Sequence, residues 1–541
     1  MPYAAPIADM RFALEACADF WSLRQRYPEL DEDTLAAILE GAGALSAETL
    51  APINRSGDRA GVSLKDGVVT AAPGFREAYE AFKQGGWQGL AADPAYGGQG
   101  LPRSLALAVM ETVHSANMSF GLLPMLTLGA IEAIEQHGAT DQKQLYLEKL
   151  ISGEWSGTMN LTEPQAGSDL GALTTKAVPQ VDGSYAITGQ KIFITWGEHD
   201  LAPNIIHLVL ARIEGAPAGS KGISMFIVPK FRDEDGSRNA VRCIGLEEKM
   251  GIHASPTCTL AYEGATGWLI GEENRGLHAM FTMMNAARLN VGMEGVAVAE
   301  AAYQKALSYT KERKQGGALI IEHPDVRRML MTMKAKIQAA RAICYATAVA
   351  ADRGDKARED LLTPLAKACG TDVGVEVTSL GVQVHGGMGF VEEGGAAQFY
   401  RDARIAPIYE GTNGIQAIDL YGRKLLGDRG EAMRTLIAEA RQTAGSHHPK
   451  FAAAVDALEE ATAFMLDAPR EDALAGAYAY LQLAGDVAGG MLLIQGGSRD
   501  ANPEQGAVLR FYARTILART PARLAEIKLG AAVLTSADFA H

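Results

Sequence analysis

Apolar positions recur at three- and four-residue spacing over Leu105–His114 and Asp141–Leu150, which predicts that residues 1–155 are mainly helical. From about 156 to 276 the period changes. Tyr185–Thr195, Ile205–Ile213, Ile223–Val228 and Thr257–Tyr262 are short apolar or alternating runs, separated by turn formers such as Asp182-Gly183 and Pro217-Ala218-Gly219. That is the pattern of a compact β domain. Helical spacing returns from Leu277 to about Leu426, broken at Gly316-Gly317 and at Gly386-Gly387-Met388-Gly389. Gly427-Asp428-Arg429-Gly430 marks a boundary, and Ala-rich helical runs follow at Ala432–Ala444, Phe451–Leu466, Ala473–Ile494 and Gln505–Leu529. The expected order is therefore a helical domain (1–155), a middle β domain (156–276), a helical bundle (277–427) and an additional helical domain (428–541). The fold class is mainly α with a central β domain, without internal repeats.

Composition narrows the partners. The 541 residues are 48% hydrophobic and 21% charged, as in globular proteins, and a chain of this length can bury sizeable cores. A formal net charge of −14 argues against nucleic acid or an anionic membrane as main partner, while leaving room for an anionic ligand in a local basic pocket. Five scattered cysteines, Cys17, Cys243, Cys258, Cys344 and Cys369, form no CxxC and fit free thiols in a reducing compartment. The opening Met1-Pro2-Tyr3-Ala4-Ala5-Pro6 lacks the basic-then-apolar layout of a signal peptide. The apolar stretch Leu474–Ile494 is interrupted by Gln482 and Asp486, so a buried helix is expected there and no integral membrane segment. A cytoplasmic location is expected.

Four segments carry candidate chemistry. Ile408-Tyr409-Glu410-Gly411-Thr412-Asn413 holds one carboxylate on tightly drawn backbone; it reads as a proton acceptor or as an ordinary turn. Met159-Asn160-Leu161-Thr162-Glu163-Pro164-Gln165-Ala166-Gly167-Ser168-Asp169 offers hydroxyls and exposed N–H groups to a phosphate or polar ring edge, or is a plain loop with Asp169 as N-cap. Gln190-Lys191-Ile192-Phe193-Ile194-Thr195-Trp196-Gly197 could lay an aromatic edge on a ring system, or is a half-buried strand. Gln383-Val384-His385-Gly386-Gly387-Met388-Gly389-Phe390 lets the main chain lie against a flat ligand. It forms no GxGxxG fingerprint, and neither GxxxxGK[ST] nor HExxH occurs.

In this order around a β domain, the four segments resemble the acyl-CoA dehydrogenase family from about Gly86 to Leu426. Arg11-Phe12-Ala13-Leu14, Asn117-Met118-Ser119-Phe120-Gly121 and the C-terminal extension look like the larger bacterial subgroup that includes 3-methylmercaptopropionyl-CoA dehydrogenase. The resemblance implies FAD as cofactor, with Met159, Leu161, Thr162 and Ser168 against the flavin and Ser168 also facing the CoA thioester. Phe193, Ile194 and Thr195 would flank the isoalloxazine, Phe193 standing where many relatives carry Trp. The adenine end would reach Arg313 and Gln383 through Gly387, including Gly386, across a subunit interface, with Thr412 near FAD. A homodimer or a dimer of dimers is thereby implied. Gly316 and Gly414 depart from relatives, which often carry an aromatic and a Glu or Gln there. Arg288 matches the CoA-side arginine, Asn285 and Gly411 are neighbouring substrate positions, and Glu410 is the implied base, because no carboxylate lies between Glu273 and Glu294. Arg288 also reads as a helix-surface charge, and Arg313 as a cation at a helix C-terminus.

The implied reaction is α,β-dehydrogenation of an acyl-CoA to a trans-2-enoyl-CoA. Glu410 takes the α-proton, flavin N5 takes the β-hydride, and an electron-transfer flavoprotein reoxidises the flavin. The acyl group stays open, 3-methylmercaptopropionyl-CoA and fatty acyl-CoAs being favoured and fatty acid β-oxidation the expected setting. Two alternatives are an acyl-CoA oxidase using O2 and a non-catalytic relative that binds DNA through a basic C-terminal domain. The latter is disfavoured by 13 acidic against 10 basic residues over 431–541. The C-terminal domain itself is expected to add packing surface and stabilise a dimer.

Overall fold

The structure is a computed structural model that describes residues 3–233, 235–445 and 448–536; the outer domain limits at 1 and 541 lie outside the described residues. It is mainly helical with a central β region, and the chain divides into two compact units. One comprises Gly41–Leu101 and Thr112–Ala287 and holds the β domain. The other comprises Met1–Glu40, Pro102–Glu111 and Arg288–His541 and is helical.

In the sheet unit the first strands are unexpected. β1 (Ser63–Lys65) and β2 (Val68–Thr70) form an antiparallel hairpin within the stretch read as helical. The signal was present, since Asp66 and Gly67 both adopt positive φ, as a two-residue hairpin turn requires. The main sheet contains β3 (Ser156–Asn160), β4 (Lys176–Pro179), β5 (Tyr185–Thr195), β6 (Ile205–Ile213), β7 (Ser224–Pro229), β8 (Val241–Leu246) and β9 (Thr257–Ile270). β6, β4, β5, β9 and β7 pair in a closed circuit, completed by β6 against β7, while β3 runs parallel to β6 and β8 antiparallel to β9. Closure leaves those five strands without open edges. Ile187, Ile194, Val209, Phe226, Val228, Leu260 and Tyr262 form its core. The four strands read from the sequence all occur, β9 running on to Ile270 because Ala265 and Ile270 continue the buried face.

The helical unit is organised around close crossings. The helices Gly276–Thr310 (its part from Arg288), Pro324–Arg353 and Lys356–His385 pack together. The first and third meet through small residues. A Cβ on Gly295 would lie 2.2 Å from the Gly370 carbonyl oxygen, and one on Gly292 would lie 2.5 Å from that of Ala366. Arg341, fully buried, ties three segments. It donates to Glu111 Oε1 (2.7 Å), Glu300 Oε2 (2.8 Å) and Gln338 Oε1 (2.8 Å), and Tyr345 Oη donates to Glu111 as well.

Beyond the 427–430 turn stand the helices Glu431–Ala444, Pro449–Asp467, Arg470–Arg499, Pro503–Thr515 and Thr520–Ile527. The run expected as one helix over Gln505–Leu529 is two, joined by a tight turn at Leu517–Arg519. Pro521 supplies no N–H to continue the earlier ladder, and it sits comfortably in the first turn of a new helix. Among the described residues, Met118–His137 and Arg470–Arg499 are long and apolar enough to cross a bilayer, but 83% of each apolar window is buried within the protein. The second contains the stretch read as a buried helix.

Gly295→Ala is expected to overpack the Gly295–Gly370 crossing and destabilise the protein by about 1–3 kcal/mol. Urea denaturation followed by circular dichroism measures this; an unshifted midpoint would show that the two helices separate at no expense.

Candidate active site

Glu410 sits on a short loop between the Ala396–Ala403 and Asn413–Asp419 helices of the helical unit. Its backbone is left-handed (φ 53°), and Gly411 follows at φ 82°. A non-glycine residue held there costs about 1–3 kcal/mol and needs surroundings that enforce it. Lys367 provides them. This buried lysine donates from Nζ to the Ala406 carbonyl (2.8 Å) and to Asn413 Oδ1 (2.9 Å), one on each side of Glu410. Asn413 also donates to Asp372 Oδ1 (2.8 Å), Thr412 Oγ1 caps the next helix by accepting from Ile415 N, and Gln416 Nε2 donates to the Gly411 carbonyl (3.2 Å).

The electrostatics suit a base. Glu410 keeps part of its surface open, yet enough protein surrounds its carboxyl that desolvation pushes the pKa up to about 7, against the opposing pull of Arg288 and Lys367. Arg288 is buried, lies 3.4 Å from Asp419 Oδ2, and its guanidinium closely approaches Gly411. A buried ion pair on the inner side of the helix replaces the helix-surface reading. Glu410, Gly411, Thr412 and Arg288 thus come together. Beside them lies a cavity of about 530 Å³, whose lining includes Asp372, Arg404, Thr412, Asn413 and Tyr478.

Within the sheet unit a second loop is pinned in the same manner. Lys191, fully buried on β5, donates from Nζ to the Leu161 carbonyl (3.0 Å) and to Glu163 Oε1 (2.8 Å). Glu163 also accepts from the main-chain N–H groups of Thr174 (2.7 Å) and Thr175 (3.0 Å) and from both of their hydroxyls. Burial alone would raise the Glu163 pKa; the Lys191 charge and these bonds outweigh it and hold the group down at about 2. Ile192 N donates to the Thr162 carbonyl (2.9 Å), which fixes Thr162 beside β5. The strand is irregular between Lys191 and Ile194, and Phe193 takes φ 59° with 58% of its surface exposed. An aromatic ring held outward at positive φ suits a flat, partly apolar ligand, and the half-buried hydroxyls of Thr162 and Thr195 suit its polar edge. These residues fit a flavin. Met159 and Leu161 are nearly buried, Ser168 is exposed, and Asn285 is half-buried. Ile194 packs into the β core, leaving its main chain for any ligand contact. Asp169 does cap a short turn, accepting from Gly171 N.

On the helical unit, Arg313, Gln383, Gly386 and Gly387 are all exposed. Tyr309, whose carbonyl accepts from Arg313 N, stacks on His385 with ring centroids 4.5 Å apart, which brings the two turns together. Gly316 and Gly317 both take positive φ in a two-residue hairpin turn, which is why no aromatic stands at 316. Sequence reasoning missed Lys367, Gln416, Asp419 and Glu294. Lys367 and Glu294 had a signal, each being a lone charge within an otherwise apolar helical run.

The fold, helical with a central β region and an added helical domain, is that of an acyl-CoA dehydrogenase, and comparison with known proteins agrees. Family profiles match as acyl-CoA dehydrogenase N-terminal domain (34–154), middle domain (158–265) and C-terminal domain (274–425), and as acetyl-CoA dehydrogenase C-terminal like (430–538). The chain belongs to the acyl-CoA dehydrogenase family and is an oxidoreductase of that class. It is 47% identical over 531 residues to a 3-methylmercaptopropionyl-CoA dehydrogenase of Ruegeria pomeroyi, covering 91% of this chain and 90% of that one. Butyryl-CoA dehydrogenase from Megasphaera elsdenii superposes at TM-score 0.64 and 29% identity, over 73% of this chain and 98% of that one. An acyl-CoA dehydrogenase from Bacillus anthracis, complexed with FAD, shares the fold at TM-score 0.76 and 23% identity, over 92% of this chain and 89% of that one.

Lys191→Met leaves Glu163 buried without its counter-ion and is expected to cost about 3–5 kcal/mol of stability. Adding Glu163→Gln, which removes the uncompensated charge and keeps an acceptor for the Thr174 and Thr175 donors, should recover part of it. Denaturant titration of the single and double variants checks both, and equal losses in the two would refute the ion-pair account.

Proposed function

We propose that this protein is an FAD-dependent dehydrogenase that forms the α,β double bond of a short acyl-CoA thioester, with Glu410 as the base. FAD, when bound, supplies the acceptor for the two electrons that leave with the β-hydride. The observation that carries the reading is a partly accessible carboxylate, raised into the neutral range and fixed on a strained loop beside a buried arginine.

Glu410 accepts the α-proton. A carboxylate is too weak for an ordinary thioester α-carbon, so its partial desolvation matters, bringing its pKa close to the working pH. The main-chain N–H of Glu410 donates to no described backbone acceptor and is available to the thioester oxygen as charge develops there. Losing such a donor typically costs about 2.7–4 kcal/mol. Arg288 and Gly411 border the base and would position the substrate beside it. Thr412 would contact the cofactor from the same loop. Met159, Leu161, Thr162, Ser168, Phe193, Ile194 and Thr195 would hold the flavin ring, with Ser168 and Asn285 also toward the thioester ligand. Arg313, Gln383, Gly386 and Gly387 would receive the adenosine end from a second subunit; their exposure supports this, as it supports a dimer.

The identity to the Ruegeria pomeroyi enzyme favours a short thioether acyl-CoA, 3-methylmercaptopropionyl-CoA, ahead of fatty acyl-CoAs of β-oxidation. An electron-transfer flavoprotein is the proposed reoxidant, and the cytoplasm the proposed location.

The test is anaerobic mixing of the purified yellow protein with a panel of acyl-CoAs, following loss of flavin absorbance. 3-Methylmercaptopropionyl-CoA should bleach the flavin fastest, and Glu410→Gln should slow bleaching by at least about 10³-fold while retaining ligand binding. Burial raises the Glu410 pKa, so its neutral form is favoured at low pH. Activity should be full above about 7 and be lost as pH falls through it. A flavin-free protein, or a flat pH profile, would refute the assignment.

A further inference from the structure

Glu294 lies on the Gly276–Thr310 helix, between the two glycines, Gly292 and Gly295, that bring this helix against the Lys356–His385 helix. It is completely buried. Its Oε2 accepts a hydrogen bond from Tyr409 Oη, the side chain immediately before the proposed base, and its Oε1 has no hydrogen-bond partner among the described residues. A buried carboxyl with one oxygen unsatisfied is expensive to keep, and an apolar residue would pack the crossing at less expense. Among the described residues its side chain hydrogen-bonds only to the residue that enters the Glu410 turn.

The titratable groups that face it are Tyr409 and Glu410 from the loop and Lys367 from the Lys356–His385 helix. Two carboxyl groups therefore share one enclosed region with one ammonium. Burial, reinforced by the Glu410 charge and opposed by the Tyr409 bond and the Lys367 charge, moves the Glu294 pKa up to about 8, while that of Glu410 lies at about 7. Both carboxyls are therefore raised, and Glu410 is the one that ionises first as pH rises.

We propose that Glu294 is a positioning residue for the dehydrogenation: through Tyr409 it fixes the left-handed turn that aims Glu410. This rests on Glu410 being the base. A turn free to relax toward ordinary backbone would carry the carboxylate away from the substrate, and small misplacements of a reacting group cost rate steeply. As pH rises through about 8, Glu294 ionises beside a Glu410 that is already charged, and the reaction should show a second, alkaline change that Glu410 alone does not give.

The experiment is stopped-flow flavin reduction by the best acyl-CoA of the panel, from about pH 6 to about pH 10, for wild type, Glu294→Gln, Tyr409→Phe, the double variant and Glu410→Gln. Glu294→Gln keeps the shape and the acceptor for Tyr409 but cannot ionise. It should keep the change near 7 and lose the alkaline one. Tyr409→Phe should slow reduction about tenfold or more, with flavin content and acyl-CoA affinity unchanged. The double variant should be no slower than Tyr409→Phe alone, since the two residues act as one unit. Wild-type rates and pH profiles in both single variants would overturn the proposal while leaving the base intact, provided Glu410→Gln is inert. Loss of flavin or of thermal stability with an unchanged pH profile would reduce Glu294 to packing and overturn it equally. Rapid flavin reduction by Glu410→Gln would instead remove the base assignment itself.

Discussion

One buried ammonium, Lys367 Nζ, bonds to the chain on both sides of Glu410, at the Ala406 carbonyl and at Asn413 Oδ1. The rest of the candidate site depends on that constraint. A carboxylate at positive φ, followed by a glycine also at positive φ, would open if its ends were free, because the strained backbone has lower-energy alternatives. Burying a lysine to hold it is itself costly. Desolvation lowers the Lys367 pKa to about 8, opposed first by the charge of Glu410 and then by those of Asp372 and Glu294. The ammonium and the proposed base therefore stabilise one another's charged forms, and the loop geometry and the site electrostatics have a common origin.

The sheet unit uses the same device independently. Lys191 on β5 reaches the Leu161 carbonyl and Glu163, and so fixes the segment carrying Thr162 next to the irregularity that turns Phe193 outward. In both units a buried lysine in regular structure immobilises an adjacent loop, and that loop carries residues proposed to face the ligands. Rigid elements thus set the position of groups that irregular backbone presents, which is how loops can carry precise chemistry.

The sequence made the order of elements legible because its periodicities are strong and change sharply near residues 156 and 276. It read the strands of the closed circuit that are long or apolar, and passed over β3, β4 and β8, which are short or carry mixed polarity. The Ser63–Thr70 hairpin was hidden because three-residue strands leave no period to detect, although Asp66-Gly67 announced the turn. The segments at 159–169, 190–197, 383–390 and 408–413 were visible as unusual backbone composition, and their ligand roles came from resemblance. What could not be read was depth. Arg288 as a buried partner of Asp419, and Glu163 as a buried partner of Lys191, depend on which helix or strand faces inward at one residue. Tyr409 with Glu294 requires knowing that positions 115 residues apart meet.

The additional C-terminal domain joins the same network. Its Arg470–Arg499 helix is rich in glycine because its neighbours press closely: a Cβ on Gly485 would lie 2.2 Å from Cys369 Sγ of the Lys356–His385 helix, and one on Gly489 would lie 3.0 Å from Ala339 Cβ of the Pro324–Arg353 helix. That proximity lets Tyr478 Oη donate to Asp372 Oδ2 (2.6 Å) while Asn413 donates to Asp372 Oδ1 (2.8 Å). Asn413 in turn accepts from Lys367. A continuous path of hydrogen bonds therefore runs from the added domain through one carboxylate to the loop of Glu410. Desolvation raises the Asp372 pKa, opposed first by the bonds from Tyr478 and Asn413 and then by the Lys367 charge and a bond from Gln482. The domain thus adds more than packing surface: it contributes a hydrogen bond to the network that holds Asn413, and through Asn413 the loop that carries Glu410.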